Sequence, residues 1–146
     1  MDALIDRDSE RGTGEPHAAR RLRAFRAADA FALAVWQDAR SFARPEGALL
    51  AEEIRRTVAR AGGSLVAAAS LDASEPEARR AAATAHAGFL EVRYYLYLAR
   101  RLGCLDLKRY RHLAHLQDAA LRELGALLSE SRTEATFPIA SDAQAS

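Results

Sequence analysis

Hydrophobic positions recur at helical spacing through the middle of the chain and lose that spacing at both ends. Phe25, Ala28, Ala32, Val35, Ala39 and Phe42 stand three and four residues apart, one apolar stripe on a first helix from about Ala18 to Phe42. Arg44-Pro45-Glu46-Gly47 ends it. Leu50, Ile54, Val58, Ala61, Leu65 and Ala68 predict a second helix over about 48–70, with Gly62-Gly63 inside it as a weak point. Ser74-Glu75-Pro76-Glu77 reads as a helix start, with Ser74 as cap, Glu77 returning the bond and proline in the first turn. Ala78, Ala82, Ala85, Phe89, Val92, Leu96 and Ala99 then continue a third helix to Gly103. Asp106 can cap a fourth, which carries Tyr110, Leu113, Leu116, Ala120, Leu124 and Leu127 to about Glu130. Four helices of similar length on short turns predict an all-α, antiparallel up-down-up-down four-helix bundle with disordered termini.

The ends lack this pattern. Residues 1–16 contain Gly12, Gly14 and Pro16 with five acids against two arginines, which predicts a disordered acidic tail. Residues 131–146 read as a disordered C-terminal tail, leaving 17–130 as the bundle.

Composition agrees with the helices and narrows the function classes. Among 146 residues, 34 are alanine and 20 of the 21 basic residues are arginine. Formal net charge is +1 for the whole chain, but residues 17–130 hold 18 basic and 13 acidic side chains. The tails mask a basic body. One cysteine, Cys104, excludes an internal disulfide framework and any cysteine-based zinc cluster. No apolar run reaches the length of a membrane span, and the first residues lack the basic start and apolar core of a signal peptide. A cytoplasmic protein with no membrane partner is the expectation.

No enzyme signature occurs. A carboxylate-bridged di-iron core needs Glu-x-x-His pairs, and none is present. His112 and His115 stand one turn apart, yet nothing beside them completes a metal site, so a polar face is the commoner reading. Cys104 has no neighbouring base and reads as a small half-buried side chain. The sequence points to a non-enzymatic protein with no cofactor and no metal.

Arginines carry the chemical signal. Arg20, Arg23 and Arg26 on the first helix, and Arg55, Arg56 and Arg60 on the second, form a candidate nucleic-acid-binding set that could hold phosphates. An ion-paired, solvated surface explains the same residues equally well. Tyr94 and Tyr97 lie off the apolar seam of the third helix and are candidates for an oligomer interface, with base stacking a less common use.

With the helices in place, the chain resembles the four-helix-bundle family of proteins encoded in intervening sequences of 23S ribosomal RNA genes. It also resembles the related accessory variability protein of diversity-generating retroelements. The likeness covers about residues 22–128. It rests on Phe31-Ala32-Leu33-Ala34-Val35-Trp36, on Leu50-Ala51-Glu52-Glu53-Ile54-Arg55-Arg56, and above all on Glu91 to Asp106, leading into Tyr110, Leu113 and Asp118. The family's Asn-Ile-Ala-Glu-Gly segment is Ser64-Leu65-Val66-Ala67-Ala68 here, and its Gly-Arg-Met-Leu is Leu121-Arg122-Glu123-Leu124. The chain is thus similar to a divergent member. The resemblance implies a non-enzymatic bundle that assembles with itself as a ring, a homopentamer. It also implies RNA or DNA and a reverse transcriptase as partners.

Overall fold

A computed structural model describes residues 16–42 and 45–144, with 131–144 as backbone alone. Its described residues form four helices: α1 (His17–Asp38), α2 (Pro45–Ser70), α3 (Pro76–Arg101) and α4 (Leu107–Gln144). A short 3-10 turn, Ala39–Ser41, prolongs α1. Neighbours around the bundle are α1–α2, α2–α3, α3–α4 and α4–α1, with α2–α3 and α1–α4 packed most closely. The architecture is the all-α bundle that the periodicity predicts.

Three of the four seams fall where the sequence puts them: on α4, Leu113, Ala120 and Leu124 are buried and Tyr110, Leu116 and Leu127 pack against the core. On α2, Leu50, Ile54, Val58, Ala61, Leu65 and Ala68 are all buried, and on α3 so are Ala78, Ala85, Phe89, Val92, Leu96 and Ala99. Gly62 and Gly63 do not interrupt α2. The close approach between helices falls elsewhere. A Cβ on Gly88 would stand 2.9 Å from the Ala61 Cβ, so α3 meets α2 through a missing side chain.

The first helix keeps Ala28, Val35, Ala39 and Phe42 in the core as expected, with Ala24 and Phe31 buried in place of Phe25 and Ala32. Ala24, Ala28, Phe31 and Val35 face the core, while Phe25 is 37% exposed. Alanines at 24, 27, 28, 30, 32 and 34 leave the choices between Ala24 and Phe25, and between Phe31 and Ala32, open in apolar pattern. The fully buried Phe31 ring, set edge-on to Phe89 at 6.1 Å between centroids, decides between them.

Other differences lie at helix ends. Glu75, not Ser74, is the residue before α3, and it makes no side-chain cap; the Ser74 N–H and hydroxyl both donate to Asp72 Oδ1, at 3.0 and 2.9 Å. Asp106 does cap α4, accepting from the Arg109 N–H at 2.8 Å. Gly103 closes α3 at φ 75°, and the Cys104 N–H reaches back to the Ala99 carbonyl at 2.9 Å. The α4 backbone runs on to Gln144 where the sequence predicts a tail from 131. No glycine occurs over 131–144 to stop the helix. Of the acidic tail expected over 1–16, only Pro16 is among the described residues.

Candidate nucleic-acid interface

The antiparallel topology gives the bundle two unlike ends. One gathers the start of α1, the α2–α3 turn and Glu130; the other gathers Ala39–Ser41, the start of α2 and the α3–α4 turn. The six arginines of the sequence-predicted site belong to neither as a group. Arg20 ion-pairs with Glu130, and Arg23 donates to Glu123 Oε2 at 2.9 Å, so both lie against α4. Arg55 lies over the Trp36 indole, 5.5 Å from the ring centroid, and donates to the Trp36 carbonyl at 3.3 Å, fastening α2 to α1. Arg56 pairs along its own helix with Glu52 at 2.8 Å and with Glu53 at 3.8 Å. Arg60 lines the α2–α3 cleft with Glu53 and Glu91. Arg26 and Arg60 are exposed, and neither side chain has a hydrogen bond or ion pair among the described residues.

A denser cation cluster sits at the α3–α4 turn. Arg100 and Arg101 close α3, Lys108, Arg109 and Arg111 open α4, and Arg40 stands on the 3-10 turn. The Arg109 guanidinium donates to the Ser41 hydroxyl at 2.8 Å, which ties the end of α1 to the start of α4. Carboxylates at this end are Asp38, Glu46 and Asp106, three against six cations. Among the described residues, Arg40, Arg100, Lys108 and Arg111 have no hydrogen-bond or ion-pair partner. Arg101 lies over the Tyr97 ring at 5.7 Å. The signals for this cluster are Arg100-Arg101 and Lys108-Arg109-Tyr110-Arg111, which the turn separates along the sequence and the fold brings together.

Tyr97 and Tyr94 are 47% and 61% exposed, in one row with the exposed Leu90 along α3. Tyr95 points elsewhere. Its hydroxyl donates to Glu91, and chiefly that bond, with burial and the Glu91 charge, pushes its pKa up to about 12. Asp72 is held below its ordinary range, first by the Ser74 N–H and then by the Ser74 hydroxyl. His112 and His115 are exposed, and among the described residues no three His, Cys, Asp or Glu side chains converge on one point. Cys104 is half-buried, packed toward Gly47. No described helix is long and apolar enough to cross a membrane.

No protein-family model, curated protein or solved structure matches the chain.

Proposed function

We propose that this chain is a non-enzymatic cytoplasmic bundle that binds nucleic acid through its phosphates, with the basic end at the α3–α4 turn as the contact surface. The observation that carries this reading is the set of Arg40, Arg100, Lys108 and Arg111, cations at one end of the bundle without carboxylate partners among the described residues. Arginine forks suit phosphate geometry, and Tyr97 beneath Arg101 adds an aromatic face beside them. Contacts of this kind position a nucleic acid without reading its bases.

Self-association belongs to the same proposal. Leu90, Tyr94 and Tyr97 expose an apolar row on α3, and Leu22, Leu33 and Trp36 expose another on α1. A homo-oligomer covering these rows repeats the basic end, so that weak phosphate contacts add. The segments shared with the 23S intervening-sequence family fall on α1, on α2 and across the α3–α4 turn. That supports reading the chain as a divergent member, with a pentameric ring and a reverse transcriptase as the partner to test first.

A second reading has its own observation. Arg20, Arg23, Arg56 and Arg93 each meet a carboxylate, so much of the basic body is internally neutralised, as a structural or protein-interaction bundle needs. Filter binding of RNA across a salt series separates the two. Replacing Arg100, Arg101 and Lys108 with glutamine should lower affinity and flatten the log–log salt slope by about 2, at roughly 0.7 per lost single-strand contact. Arg55→Gln with Arg56→Gln should change affinity less than twofold. An unchanged slope in a folded triple variant, or no binding by wild type at low salt, favours the second reading. Light scattering showing a monomer at micromolar concentration removes the oligomer.

A further inference from the structure

The other end of the bundle holds an apolar cavity of about 50 Å³ between the start of α1, the end of α2, the start of α3 and α4. Phe25, Leu65 and Leu127 form its apolar walls, and the ionisable side chains that line it, His17, Arg21 and Arg79, are all basic. Drug-sized ligands occupy pockets of roughly 300–1,000 Å³, so this one suits the tip of a single aliphatic side chain. Arg21 is committed to the carbonyls of Ala68 and Leu71, at 2.8 and 3.2 Å. Arg79 has no partner among the described residues.

We propose that this cavity is the docking site for the chain's own N-terminal segment, with Leu4 or Ile5 in the cavity and Asp6 and Asp8 against Arg79. Three features select this occupant. Leu4 and Ile5 are an adjacent pair of large aliphatic residues within the first fifteen positions, which carry five acids, Asp2, Asp6 and Asp8 nearest the pair, against Arg7 and Arg11. Acid on the segment meets base on the rim. The chain outside the described residues joins α1 at Pro16, next to His17, which lines the cavity. Eleven residues from Ile5 to Pro16 span at most about 40 Å, far more than a return to the adjacent cavity requires. Gly12 and Gly14, between the aliphatic pair and the helix, supply the reversal.

Nuclear magnetic resonance on the full chain tests this. In the unaltered protein, methyl groups of Leu4 or Ile5 should show cross-relaxation with methyls of Leu65 or Leu127. In a Cys104→Ser chain carrying a nitroxide on Ser9→Cys, the amides of Ala69, Ala73 and Ala78 should lose more than half their intensity, while that of Leu105 keeps its own. Adding Leu4→Ser and Ile5→Ser should restore at least half of the lost intensity, and so should Arg79→Glu. Asp6→Arg with Asp8→Arg in the Arg79→Glu chain should bring the broadening back. Broadening that ignores Leu4→Ser and Ile5→Ser reflects the tether alone and overturns the proposal. So does broadening confined to unlabelled chains in a mixed sample, because the occupant is then a second copy. Absence of this cross-relaxation from both Leu4 and Ile5 in the unaltered protein overturns it as well.

Discussion

The two ends of the bundle are built from the same kinds of residue to opposite effect. At the α3–α4 turn the core is closed: Leu105 and Phe42 are buried, and Gly47 lies so near Cys104 Sγ that an added Cβ would stand 3.1 Å away. With packing complete beneath, Arg40, Arg100, Lys108 and Arg111 turn to solvent, and Arg109 holds the Ser41 hydroxyl. At the α2–α3 turn the core is open, Phe25 is partly exposed, and the arginines are used inward, Arg21 on backbone carbonyls and Arg20 on Glu130. The ends differ in how their cations are used: over the complete layer Arg40, Arg100, Lys108 and Arg111 are available to a partner, and over the incomplete one Arg21 substitutes for missing structure.

The largest test of this contrast is in the packing. Leu105→Ala at the closed end should cost about 2–5 kcal/mol, because it empties a fully enclosed site that the turn cannot collapse to fill. Phe25→Ala at the open end should cost only about 1 kcal/mol, since its ring is already partly in water. Urea unfolding with unchanged m-values measures both. Equal losses would mean the ends are equally packed, and the contrast fails.

Next comes the inward use of arginine. Arg21→Met keeps much of the aliphatic stem and removes the donors to Ala68 and Leu71. Part-buried hydrogen bonds from a charged group are worth roughly 1.5–3 kcal/mol, so the α2–α3 turn should open at least tenfold more often. Amide exchange over Leu71–Glu75 reads this directly. Replacing Arg100, the counterpart at the closed end, should leave exchange around Gly103 within twofold.

How much of this could be read from the sequence depends on residue type. The seams of α2 and α3 are marked by Leu, Ile, Val and Phe, whose burial is unambiguous, and they fall as predicted. Alanine marks nothing so firmly, which is why Ala24 and Phe31 take the core places expected for Phe25 and Ala32, and Phe25 proves an edge residue. Gln117 breaks the pattern too: it is buried, its amide donating to the Phe89 carbonyl at 2.8 Å, a use that polar character hides. Among the arginines, the pairing of Arg23 with Glu123 joins residues a hundred positions apart and leaves no local trace. Arg56 with Glu52, at i and i−4, is the pairing that helical spacing does reveal.

The smallest predicted effect lies on α3, on the side of the basic end, and concerns pH. The Tyr95 hydroxyl donates to the Glu91 carboxylate, which favours the neutral phenol and raises its pKa from 10.0 to about 12. A group whose pKa is raised on folding contributes its stability in full below the unfolded value. That contribution is then lost as pH rises from 10 toward about 12. Tyr95→Phe removes it at every pH, so wild type should exceed the variant by a few tenths of a kcal/mol at pH 8–9, the size expected of a solvent-screened surface bond. The two should converge near pH 12. Absorbance titration of the tyrosines provides the matching signature, a high-pH component present in wild type and missing from Tyr95→Phe. Because Tyr95 faces α2 and Glu91 while Tyr94 and Tyr97 face outward, phosphate binding at the basic end should leave that component in place. A shift of the Tyr95 component on adding RNA would mean that the α2–α3 cleft, and not the α3–α4 turn, meets the phosphates.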